Sequence, residues 1–270
     1  MLFDQEEDFE KTSKAIEEIV QSNGTHTEKD SKKTISQNVV KLCFRNRDKK
    51  RIIDGQIQYW HNTGTGLLLT STGVIVTSYH TIKNHLNTWQ KLSEEPLDVR
   101  MKKVKEDFCI QDRKGNRYPI DITFSGNMPP YDLTIIKAMI DSEGGPNLFN
   151  FQTTDPVEGE KITMEGYQSG KLTKVMGHVI TPTVSLSCNP GNDLYDSFQS
   201  NVPLNYGLSG APCFNDKGEL VGIGSTKITS EEDPPGTPGK SSLETKAKHI
   251  FNLVKNFGDN YFGTDLSRLP

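Results

Sequence analysis

At 270 residues, 33% hydrophobic and 24% charged, the chain is long enough for one globular domain with extensions or for two small domains. Its net charge of −4 lacks the basic footprint of a nucleic-acid binder, and no apolar run approaches the roughly 18 residues of a membrane span. Its four cysteines, Cys43, Cys109, Cys188 and Cys213, form no Cys-x-x-Cys pair, which argues against a zinc site and for reduced packing thiols.

The first eight residues, Met1-Leu2-Phe3-Asp4-Gln5-Glu6-Glu7-Asp8, are acidic where a secretory signal is basic and then apolar. Together with the scattered cysteines this predicts a cytoplasmic protein. Residues 5–21 have helical periodicity, with Phe9, Ile16, Ile19 and Val20 on one narrow face. The polar stretch 22–36 is read as a linker. A narrow stripe behind a linker predicts a helix dispensable for folding, free to gate a cleft or to bind a regulatory partner through residues 5–21.

From Ser36 onward the pattern changes to short β-type runs between turns. Val39 to Phe44 is the first, and a return strand near Ile52 to Trp60 follows a charged hairpin tip. Gly64 to Thr70 and Val74 to Ser78 flank the turn Ser71-Thr72-Gly73. Further strands are expected near residues 107–111, 118–125, 133–138, 161–167, 172–184 and 198–201, and on both sides of Asp216-Lys217-Gly218. Many short strands with little internal helix mean an all-β barrel or sandwich. A second linker, rich in proline, covers 229–242. A helix over 243–257 is then predicted, with Ser241 and Glu244 at capping-box spacing, an apolar stripe of Leu243, Ala247, Ile250, Phe251 and Val254, and Gly258 as its stop. The expected organisation is an N-terminal extension over 1–36, a β domain over 37–228 and a linker, helix and tail over 229–270.

The stretch Gly207-Leu208-Ser209-Gly210-Ala211-Pro212 carries the chemistry. A serine in a glycine-bracketed turn is the setting an acyl-transfer nucleophile needs. Gly207 can adopt the backbone angles that turn an amide inward, so its N–H and that of Ser209 can converge on one oxyanion. A serine is a poor nucleophile without a base and an orienting acid. His80 closes the apolar strand Val74-Ile75-Val76-Thr77-Ser78, a place where an imidazole is held firmly yet faces outward. Asp132 stands directly before the buried run Leu133-Thr134-Ile135-Ile136. The order His80, Asp132, Ser209, with gaps of 52 and 77 residues and a strand at each, differs from the Ser, acid, His order of α/β hydrolases. This chemistry calls for no cofactor and no metal.

These motifs make the chain resemble the chymotrypsin-fold, trypsin-like serine proteases, and within them the HtrA/Deg-type branch. Gly64-Thr65-Gly66 and the segment from Ser71 to His80 match the family's catalytic-histidine region, Tyr131 to Lys137 its aspartate region, and Phe198 to Pro212 its nucleophile region. The resemblance covers about Val39 to Lys227. It implies a double β-barrel with a triad in the cleft between the barrels, a C-terminal helix, and a serine endopeptidase acting on protein or peptide substrates. The alternative is an inactive binding module on the same scaffold. Leu208 stands where digestive proteases carry an aspartate that captures a new N-terminus, so activation by cleavage is not expected. The 42 residues from 229 to 270 are fewer than a PDZ module needs. By the same resemblance, Pro203 lies at the base of the pocket for the P1 residue, with Ile223, Gly224 and Ser225 along its wall. No acid is among them, which predicts a small or medium apolar P1 residue.

Overall fold

The computed structural model describes residues 14, 15, 17–45, 51–53, 56–58, 60–83, 99, 107–128, 131–141, 147, 149–186, 194–228 and 241–260. Its strands in chain order are β1 (Val39–Arg45), β2 (Arg51–Ile53), β3 (Gln56–Gln58), β4 (Trp60–Leu68), β5 (Val74–Ser78), β6 (Phe108–Gln111), β7 (Arg117–Met128), β8 (Leu133–Ala138), β9 (Lys161–Gln168), β10 (Lys171–Leu186), β11 (Leu194–Ser200), β12 (Pro212–Asn215), β13 (Leu220–Ile228) and β14 (Ser241–Lys246). They form two closed antiparallel barrels, β1-β4-β5-β8-β7-β6 and β10-β11-β14-β13-β12-β9, with β2-β3 as a separate ribbon. The all-β double barrel expected from the sequence is the fold observed.

Successive side chains of a strand point to opposite faces, and here both faces of several strands are covered. Ile75 of β5 faces the first barrel's interior with Val40, Leu42, Ile110 and Ile136. Its neighbours Val74 and Val76 face a second cluster shared with Leu133, Ile135, Phe214, Leu220 and Ile223. That cluster lies between the barrels, which explains why every residue of β5 and β8 is buried. The second barrel is filled by Ile162, Met164, Phe198, Leu208, Ala211 and Cys213 among others.

Three expectations are corrected here. The segment read as a linker contains a helix, Glu28–Gln37, capped by Thr27, whose hydroxyl accepts the Asp30 amide at 3.3 Å. It docks on the second barrel, where Ser31 Oγ donates to Gly218 O at 2.6 Å, and its Ile35 is fully buried. Polar composition concealed it, because one apolar residue and one serine suffice to anchor so short a helix. Second, residues 17–22 are helical, and Ile19 joins the interbarrel cluster beside Ile250, Leu253 and Val254. Of the face expected to be free, Ile19 is thus core and Val20 packs against it, while Phe9 and Ile16 lie outside the described residues. Residues 1–13 lie outside those described.

Third, residues 241–246 are strand β14, and the C-terminal helix begins later, as Ala247–Asn260. β14 pairs with β11 on one side and β13 on the other, so the second barrel takes its sixth strand from beyond the expected boundary at 228. A capping box satisfies two backbone donors, whereas a strand inserted between two others satisfies both its edges. Glu244 is not a cap residue. Its carboxyl is buried and receives hydroxyls from Ser242 and Ser200. Cys43, Cys109 and Cys213 are buried free thiols, with Cys43 directly opposite Cys109 on β1 and β6. Cys188 lies outside the described residues.

Candidate active site

Residues 79–83 turn into a helical step directly after β5, which places His80 at the strand's end. β8 pairs with β5, with Ser78 opposite Leu133, so the residue before β8 arrives beside it. That residue is Asp132. Its carbonyl accepts the Tyr79 amide at 2.9 Å, its Oδ1 accepts the His80 amide at 2.9 Å, and its Oδ2 lies 2.7 Å from His80 Nδ1. A carboxylate only accepts, so Nδ1 carries the proton and Nε2 is left as the basic nitrogen. Asp132 is buried while His80 is exposed, an arrangement that holds the acid and leaves the imidazole accessible.

The serine turn is built by backbone constraints. Gly207 and Gly210 have φ of 96° and 83°, where L side chains are strained. A Cβ on Gly210 would lie 2.0 Å from Thr65 O, so the turn packs backbone against backbone. Thr65 fastens it to the first barrel, with its N–H donating to Ser209 O at 2.8 Å and its hydroxyl to Gly207 O at 2.7 Å. Gly210 N–H donates to Gly224 O at 2.7 Å. The two carbonyls are thus turned toward Thr65. Among the described residues, neither the Gly207 nor the Ser209 amide donates a hydrogen bond.

Gly64 lets the segment after His80 and the serine turn come close to the same point. A Cβ there would meet Thr81 Cγ2 at 2.8 Å and Ser209 O at 2.9 Å. The residue after His80 and the serine turn therefore close on one glycine from two sides. Among the described residues no hydrogen bond joins Ser209 Oγ to His80. Leu208, the departure from the family pattern, and Ala211 are fully buried in the second barrel.

The four pocket residues have different surroundings. Pro203 is half-buried between the buried Val202 and Leu204. Ile223 puts its side chain into the interbarrel core, so it is no pocket wall by side chain. Gly224 uses its backbone to hold the serine turn, donating to Ala211 O at 2.8 Å and accepting from Gly210 and from Ser78 Oγ. Ser225 donates its hydroxyl to Asp132 Oδ2 at 2.5 Å. Sequence reasoning missed this contact, and no spacing signal was available to reveal it, because it depends on how the barrels meet. The same holds for Glu244, whose pKa burial raises to about 7 against its two serine hydrogen bonds. Among the described residues no group of three metal-ligating side chains occurs, and no helix is long and apolar enough to cross a membrane.

A model of the trypsin-like peptidase domain matches residues 64–223. Protease Do-like 5, chloroplastic, of Arabidopsis thaliana is 26% identical over 170 residues, 62% of this chain and 49% of that protein. Serine protease HTRA4 of Mus musculus is 25% identical over 171 residues, 63% of this chain and 31% of that protein. The chain thus spans half or less of the length of these curated relatives. A solved structure described as HtrA-type protease AlgW with tripeptide superposes with a TM-score of 0.58, covering 87% of this chain and 65% of that one at 16% identity, a likeness of fold.

Proposed function

Because the chain belongs to the trypsin-like peptidase domain family, we propose that it is a serine endopeptidase with Ser209, His80 and Asp132 as its triad. The observation that supports this most is the 2.7 Å contact between His80 Nδ1 and Asp132 Oδ2, with the serine turn fastened to Thr65 beside it. In the proposed reaction Ser209 Oγ attacks the peptide carbonyl as His80 Nε2 takes its proton. Asp132 stabilises the imidazolium, and the Gly207 and Ser209 amides receive the oxyanion. His80 then protonates the leaving amine, and water hydrolyses the acyl-enzyme by the same route. No cofactor enters these steps.

The substrates in this reading are proteins or peptides with a small or medium apolar P1 residue, seated near Pro203 and the backbone of Gly224. A cytoplasmic location belongs to the same reading, supported by three buried thiols that are not bridged. Labelling with a fluorophosphonate and profiling on a peptide library test it together. Wild-type protein is expected to be labelled at Ser209 and to cleave peptides, and Ser209→Ala to do neither. Unlabelled wild-type protein that cleaves nothing would overturn the assignment in favour of a binding module.

A further inference from the structure

Asp132 has a strained backbone, with φ of 49°, in the left-handed region that a residue with a side chain rarely occupies. Such a conformation persists only where the surroundings over-determine it. Part of that restraint comes from the polypeptide after the proline-rich segment. Thr245 of β14 donates its hydroxyl to Tyr131 O at 2.6 Å, fixing the peptide plane through which the chain enters Asp132. In the first turn of the C-terminal helix, His249 stacks on the Tyr131 ring, with centroids 4.0 Å apart and planes inclined by 26°.

His249 is itself held. Its Nε2 lies 3.0 Å from Asp196 Oδ2, and Asp196 also binds Lys246 at 2.5 Å and Lys248 at 2.7 Å. Burial raises the Asp196 carboxyl, but the two lysines outweigh it and bring it to about 2. Burial lowers the His249 pKa while Asp196 opposes the shift, and the carboxylate, which only accepts, receives the Nε2 proton. A chain of contacts therefore runs from Asp196 through His249 and Tyr131 to Asp132.

We propose that Thr245 and His249 are positioning residues that hold the Tyr131-Asp132 turn and thereby the direction of the carboxylate that faces His80. The inference rests on the triad reading. Without these holds the peptide relaxes toward negative φ, which swings the carboxylate away from Nδ1. Small misplacements of this kind lower turnover without weakening substrate binding.

The test uses Thr245→Val, which keeps the shape and loses the hydroxyl, Thr245→Ser, which restores it, His249→Ala and His249→Phe. Thr245→Val and His249→Ala are expected to lower kcat by about 10-fold with KM unchanged. Thr245→Ser and His249→Phe are expected to recover most of it. The low-field proton resonance of the His80 Nδ1–H···Asp132 hydrogen bond is read in parallel, in Ser209→Ala protein with and without Thr245→Val. It is expected to be sharp in the first and shifted or lost in the second. Unchanged kcat and resonance in Thr245→Val would overturn the proposal, as would a loss that Thr245→Ser fails to restore. If Ser209→Ala itself cleaves peptides at the wild-type rate, the triad reading is the one that fails.

Discussion

Ser225 Oγ lies 2.5 Å from Asp132 Oδ2, the same oxygen that faces His80 Nδ1 at 2.7 Å. A hydroxyl from the second barrel and an imidazole from the first thus share one acceptor across the interface. The hydroxyl offsets part of the burial cost of the carboxylate and keeps it from rotating. Ser225→Ala is expected to lower kcat by about 10- to 100-fold, the scale of one hydrogen bond to a charged group. KM on a peptide substrate should stay unchanged. Equal turnover in the variant would show that Asp132 is held in place without the Ser225 hydroxyl.

Asp132→Asn keeps the shape of the side chain and changes its hydrogen-bonding sense. An amide nitrogen facing His80 selects the tautomer with the proton on Nε2, which cannot accept the serine proton. A drop of about 10⁴-fold in kcat at neutral pH is expected, the general cost of this change in such triads. Steady-state peptide cleavage with intact folding by circular dichroism checks it. Less than a tenfold loss would remove Asp132 from the mechanism.

Glu244 makes stability depend on pH. Its folded-state pKa is raised by burial from about 4.5 to about 7. Between those values the folded chain binds a proton that the unfolded chain has released, so stability falls as pH rises. The full loss is about 3 kcal/mol. Urea denaturation at pH 5 and pH 8 should show this decline in the wild type and a much smaller one in Glu244→Gln. Parallel profiles for the two proteins would mean that Glu244 does not carry it.

Ile35 joins the Glu28–Gln37 helix to the interbarrel cluster and is fully buried. Ile35→Ala is expected to destabilise the fold by about 2–5 kcal/mol. Deleting residues 1–37 removes Ile19 as well and should lower the melting temperature sharply. A deletion variant with wild-type stability would restore the picture of a detachable N-terminal extension.

What the sequence determined by itself was the local grammar: strands where apolar runs lie between turns, and a serine turn bracketed by Gly207 and Gly210. It also placed His80 and Asp132 at the ends of strands that then pair as neighbours. These features are legible because each depends on residues close along the chain. The tertiary structure alone decided the remainder. Residues 241–246 became a strand because two partner edges, β11 and β13, stood open on either side, and no helical periodicity outweighs a doubly paired ladder. A polar stretch became a docked helix because Ser31 found the Gly218 carbonyl 187 residues away. Ser225 became a partner of Asp132, 93 residues distant, because the barrels close face to face. Contacts of that range leave no period or spacing in a single chain, since they are set by how finished elements pack.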